Sequence, residues 1–274
     1  MPVRLIPAPH HARALREAAI TVRTALIGGG ATGIGFAIAR RLAPTHRVVI
    51  TGRHRGSLEK AAERLGEFTR ATVSSLVSDV STVDAATLDA VTARYGPPDV
   101  LILNAGGPPP GRILDITDDA WRAGAELLLL GPLRLARHTL PGMASRGFGR
   151  VVFVTSTAVR QPQPDLAISV VLRAAVTAAA KLLSREYAAD GVTVNCVAPG
   201  ATDTQRRRDV LAGRATQTGR AVAELEAEDT AAVPAGRPGT PDEIAAAVAF
   251  LASADAGYIN GTVLTVDGGR TETF

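Results

Sequence analysis

Five of the eight residues Gly28-Gly29-Gly30-Ala31-Thr32-Gly33-Ile34-Gly35 are glycine, and they lie between a short apolar run and a stretch of helical spacing. No other feature constrains the chain as much. Glycines at such a junction permit a tight reversal and leave backbone N–H groups bare at a helix start, where anions are favoured. Any tight turn can use glycines. The position after a strand and before a helix is what makes the pattern informative.

The same punctuation continues along the chain. Residues 24–27, 47–51, 72–77, 100–103, 150–155, 193–197 and 263–266 read as strands. Residues 34–42, 56–65, 83–95, 121–143, 168–188 and 241–251 read as helices, the last with Thr240 as its N-cap. Strict alternation predicts a doubly wound parallel α/β sheet of Rossmann type, three layers α/β/α, in a single domain. The expected organisation is an extension over residues 1–23 and a domain over 24–274, with 205–238 as a substrate lid because that segment has no strand partner. Arginines 206, 207, 208, 214, 220 and 237 in it nearly balance Asp209, Glu224, Glu226, Glu228 and Asp229, so the lid reads as no clear anion trap.

Composition narrows the function. Aromatics are only 4% against 46% hydrophobic residues, so the core must be built of Ala, Val, Leu and Ile, as buried parallel strands require. The net charge of +4 comes with arginine in place of lysine almost everywhere, only Lys60 and Lys181 being lysine, and no basic stripe with interleaved aromatics suggests nucleic acid. The single cysteine, Cys196, excludes an internal disulfide and a cysteine zinc site. His10, His11, His46, His54 and His138 have no ligand spacing, so no metal is expected. No run approaches the ~20 apolar residues of a membrane span, and residues 1–23 hold no apolar signal core. The chain reads as cytoplasmic.

An acidic residue at the end of the second strand would pair with adenosine ribose hydroxyls and repel a 2′-phosphate. The sequence there is Thr51-Gly52-Arg53-His54-Arg55. A guanidinium grips phosphate, which favours NADP(H) over NAD, although neutral Thr32 adds no second base.

At this point the chain resembles the short-chain dehydrogenase/reductase family, from about residue 23 to 269. Gly29, Gly33 and Gly35 resemble its TGxxxGxG loop, with Gly28 for threonine. Asp79-Val80 resembles the pair at the adenine ring, and Asn104-Ala105-Gly106 the NNAG motif with Leu103 for its first asparagine. Asn195, Pro199-Gly200 and Thr204 are similar to the segment touching the nicotinamide. The tail from Gly239-Thr240-Pro241 to Asp267-Gly268-Gly269 matches as well. The likeness is greatest to 3-oxoacyl-carrier-protein reductases, within a divergent group bearing Gly106-Gly107-Pro108-Pro109-Pro110-Gly111. It implies cofactor contacts from Gly29, Ala31, Thr32, Gly33, Ile34, Gly35, Arg53, Asp79, Val80, Asn104, Ala105, Gly106, Arg173, Pro199, Gly200, Thr202 and Thr204. It also implies assembly as a homodimer or homotetramer through the two long central helices and the last strand.

In that family a serine, a tyrosine and a lysine perform the chemistry, supported by an asparagine. Here Ser156 keeps the serine position, Ser169 stands for the tyrosine, Arg173 for the lysine and Leu128 for the asparagine. Tyr95, Tyr187 and Tyr258 are badly placed to substitute; Tyr187 is about five helical turns past Ser169. Ser156 and Ser169 remain as hydrogen-bond donors to a developing alkoxide, with Arg173 as a fixed positive charge. Asp165 is a further candidate acid or base. Two expectations follow. One is an atypical NADP(H)-dependent oxidoreductase acting on a carbonyl or alcohol of a small or carrier-bound substrate. The other is a redox-silent NADP-binding homologue, serving as partner subunit, sensor or non-redox isomerase.

Overall fold

In the computed structural model, which describes residues 22–69 and 73–273, successive strand residues face opposite sides of one sheet. Ala25 and Ile27 enter one buried cluster and Leu26 the other, and Val48 and Ile50 are separated from Val49 in the same way. The strands are β1 (Arg23–Ile27), β2 (His46–Gly52), β3 (Val73–Val77), β4 (Val100–Leu103), β5 (Gly149–Val154), β6 (Val192–Pro199) and β7 (Val263–Val266). All pair in parallel, in the order β3-β2-β1-β4-β5-β6-β7. Arg23 belongs to β1, so the domain begins one residue before the expected boundary; residues 1–21 of the proposed extension, and Thr72 of the third expected strand, lie outside the described residues.

On one face pack α1 (Gly33–Leu42), α2 (Arg55–Gly66) and the C-terminal helix Pro241–Ala252. The other face holds α3 (Ala85–Tyr95), then α4 (Asp118–Ala125), a π-helical turn Glu126–Leu130, α5 (Gly131–Ser145) and α6 (Ala167–Glu186). The single helix expected over 121–143 is thus two helices joined by a π turn. Beyond β6 come α7 (Gln205–Thr218) and α8 (Val222–Ala231), which fill the segment expected as a lid, and the C-terminal helix is α9. A bridge between Thr202 and Gly239 closes the base of the lid.

One expectation needs correction. α6, at 20 residues and a mean hydropathy of 1.6 over an 18-residue window, is long and apolar enough to cross a membrane by length and composition. It lies instead on the sheet, burying Val176 and Ala180 against β5 and β6, and carries Arg173 and Lys181. Its alanine-rich composition reflects close helix-on-sheet packing.

Candidate active site

The sheet order reverses between β1 and β4, and a cleft of about 660 Å³ opens at their carboxyl ends. Its floor is the glycine loop. Gly29 and Gly33 have φ of +59° and +53°, a region glycine enters without strain. A Cβ on Gly35 would fall 2.1 Å from the Gly29 carbonyl oxygen, and one on Gly28 would fall 2.8 Å from that of Asn104. Asn104 Nδ2 donates to the Gly28 carbonyl at 3.1 Å, tying the ends of β1 and β4 together. Thr32 precedes α1 in extended conformation and makes no side-chain cap bond, so the first N–H groups of α1 stay open to the cleft.

At the far side Arg53 stands exposed at the end of β2. The Asp79 carboxylate accepts from Ser81 N at 2.9 Å and Ser81 Oγ at 2.6 Å. Burial pushes its pKa up, but the Ser81 bonds and the Arg53 charge together hold it below the usual carboxylate range. Bare N–H groups, a cradle only glycine fits and a free guanidinium make a donor set that can hold a pyrophosphate and a further ribose phosphate.

The opposite end carries the candidate chemistry. Ser156 Oγ accepts from Ala158 N at 3.1 Å, capping the short turn Thr157–Val159 after β5. That bond takes an oxygen lone pair and leaves the hydroxyl proton free to donate. On α6, Arg173 Nε donates to Ser169 Oγ at 3.1 Å and Nη1 donates to the Val154 carbonyl at 2.8 Å. Ser156, Ser169 and Arg173 all line the cleft. Burial first, and the nearby Arg206 charge second, lower the Arg173 pKa to about 10, so it remains a cation at neutral pH. Leu128 packs with Ile168 and Leu172 in a small apolar cluster, with no polar atom to offer.

Most charges of residues 205–238 are paired, many with partners outside the segment. Arg207 pairs with Glu226 and Asp229, both at 2.9 Å, and Arg270 joins Asp229 at 2.7 Å. Arg214 grips Asp165 through Nε at 2.6 Å and Nη2 at 3.0 Å, and Gln163 at 3.0 Å. Asp165, a further candidate acid or base from sequence, is thus held in an ion pair with Arg214. Arg206 is the exception: its Nη2 donates to the Pro108 carbonyl at 2.5 Å and no carboxylate pairs with it among the described residues. The balanced lid expected from sequence thus leaves one guanidinium in the cleft.

The family model described as Enoyl-(Acyl carrier protein) reductase matches residues 29–271. The chain is a short-chain dehydrogenase/reductase. It resembles the 3-oxoacyl-[acyl-carrier-protein] reductases of that family. MabA of Mycobacterium tuberculosis is 37% identical over 248 residues, 90% of this chain and 92% of MabA. The cis-4-hydroxycyclohexanecarboxylate dehydrogenase of Sinomonas cyclohexanicum is 34% identical over 256 residues, 92% of this chain and 98% of that one. Among solved structures, actinorhodin polyketide ketoreductase with NADPH has a TM-score of 0.88 and 33% identity, covering 93% of this chain and 100% of that one.

Within this short-chain dehydrogenase/reductase, the two serines, Arg173 and every cofactor contact named from sequence line the cleft, save Gly35. Gly35 sits behind the loop, where its missing side chain lets α1 approach the Gly29 carbonyl, and it does not line the cleft itself. Tyr95 lies in the core, Tyr187 packs against it and Tyr258 is fully exposed, so none borders the cleft. Sequence reasoning missed Arg206, Arg214 and Gln163 as cleft residues. No signal in the chain singled out Arg206, because three of the other five arginines of 205–238 find their carboxylates outside that segment.

Proposed function

We propose that this chain is an NADP(H)-dependent carbonyl reductase, or an alcohol dehydrogenase in reverse, acting on a small or carrier-bound substrate with an atypical site. The observation that carries the reading is Ser156, its hydroxyl proton uncommitted, in the same cleft as the glycine cradle and the open start of α1. The NADPH held by the actinorhodin ketoreductase and the exposed Arg53 support the choice of coenzyme.

Bound NADPH supplies the hydride. Ser156 donates a hydrogen bond to the carbonyl oxygen, and the bond strengthens as negative charge develops there. Ser169, one lone pair taken by Arg173 Nε, keeps its own proton as a second donor. Arg173 keeps positive charge beside the forming oxyanion. Neither serine nor arginine gives up a proton readily near neutral pH, so water in the cleft protonates the alkoxide and completes the alcohol. Exposed apolar residues on neighbouring helices, Leu130 and Val171, suit a homodimer or homotetramer built across that face.

Replacing Ser156→Ala is expected to slow carbonyl-dependent NADPH oxidation by about 10²–10³, with coenzyme affinity unchanged by fluorescence titration. Full activity in that variant rejects the assignment. The lack of a tyrosine at the cleft favours one competing reading, a redox-silent NADP-binding homologue. Stereospecific hydride transfer to any ketone of a screened panel ends that reading.

A further inference from the structure

We infer that the substrate is a free oxo acid whose carboxylate sits between Arg206 and Arg173. The inference rests on the reductase reading and narrows its substrate class. Five of the six arginines of residues 205–238 are matched by carboxylates, three of them from outside the segment: Arg207 by Asp229 and Glu226, Arg208 by Asp203, Arg214 by Asp165, Arg220 by Glu224 and Glu228, and Arg237 by Glu243. Among the described residues Arg206 is hydrogen-bonded only to the Pro108 carbonyl, Asp209 acting on it through charge alone, and it lies against Gly107, where a Cβ would come within 2.6 Å of its Nε. Arg173 across the cleft is also without a carboxylate, held by Val154 and Ser169 alone.

Two cations in one partly enclosed cleft repel each other and lose hydration, a state that is unfavourable until an anion joins them. Both guanidiniums line that cleft, Arg206 Nη2 at the Pro108 carbonyl and Arg173 Nη1 at the Val154 carbonyl, and the charge of Arg206 helps to lower the Arg173 pKa. The phosphates of a dinucleotide have other seats, at the open start of α1 and at Arg53. Arg173 is one helical turn from Ser169 and bonded to it, so an anion it holds lies within a few bonds of the carbonyl. A carrier thioester is uncharged at that place, and a carboxylate is not. Leu127, Leu166 and Val210 line the same cleft and suit an apolar body.

The test compares 4-oxocyclohexanecarboxylate with its methyl ester by calorimetry, on protein carrying NADP⁺ so that the ketone is not turned over, and again on coenzyme-free protein. The acid is expected to bind at least tenfold more tightly than the ester. Arg206→Gln should weaken the acid about ten- to hundredfold and leave the ester and NADP⁺ where they were, while Arg206→Lys should restore much of the difference. Unchanged NADP⁺ affinity also reports that the variant is folded. Equal binding of acid and ester by the unsubstituted protein overturns the inference. So does an Arg206→Gln variant that loses NADP⁺ affinity in place of acid affinity, since the guanidinium would then serve the coenzyme. Hydride transfer is not read here. Equal binding of acid and ester therefore leaves the reductase proposal intact, and the Ser156→Ala result does not change what the binding comparison reads.

Discussion

Gly35 and Arg206 mark the limits of what single residues disclose. The glycine loop was legible because its requirement is local: backbone must meet backbone, and only glycine permits it. Gly35→Ala would press a methyl within 2.1 Å of the Gly29 carbonyl oxygen and 2.8 Å of Asn104 Nδ2. We expect it to abolish measurable NADPH binding and lower the melting temperature. Gly56→Ala in α2, where nothing lies within 4 Å of the added Cβ, should be neutral or stabilising by up to about 1 kcal/mol. Similar effects from the two changes would contradict the close-approach account. Arg206 was illegible for the opposite reason. Whether a guanidinium is free depends on where acids from distant segments arrive; Asp165 reaches Arg214 from 49 residues away.

Elements were read with more success where they are short, apolar runs. Residues 100–103 and 263–266 match β4 and β7 to the residue, because apolar runs bounded by turns leave little latitude. The break in the helix over 121–143 escaped notice although its cause is written in the chain. Pro132 has no N–H to donate four residues back, and the Gly131 N–H bonds to Glu126, five residues back, so the helix widens there. Gly131 is also pressed on Val80, whose carbonyl oxygen would stand 2.0 Å from a Cβ. At the other end of the chain the expected cap at Thr240 is a complete capping box. Thr240 Oγ accepts from Glu243 N at 3.3 Å, and Glu243 Oε2 accepts from Thr240 N at 2.8 Å. Thr240→Ala should destabilise the protein by about 1 kcal/mol, measured by chemical denaturation. Because α9 packs on α1, the loss should appear in the global transition.

For the molecule as a whole, alternation of strand and helix was enough to predict layers and a parallel sheet, and the glycine loop was enough to locate the cleft. The lid's fastening needed three-dimensional neighbours. Burial pushes the Asp229 pKa up, but Arg270 and Arg207 outweigh it and hold it below the usual range. A carboxyl with a depressed folded pKa stabilises fully above its unfolded value of about 3.9 and loses that contribution as pH falls through the folded one. Thermal stability should therefore drop below about pH 4, and Asp229→Asn should flatten that acid limb while lowering stability at neutral pH. An acid limb that keeps its slope in the variant would assign the effect elsewhere.

The bidentate grip of Arg214 on Asp165 has a kinetic corollary. Asp165 precedes Ser169 by one turn of chain, so each uncovering of the cleft must pull opposite charges apart at the root of the helix that bears the reacting groups. Dissolved salt weakens such an attachment and also screens the approach of an anionic guest. Ionic strength should thus hasten the departure of product and slow the arrival of substrate, and the concentration that best sustains turnover would lie between the two regimes.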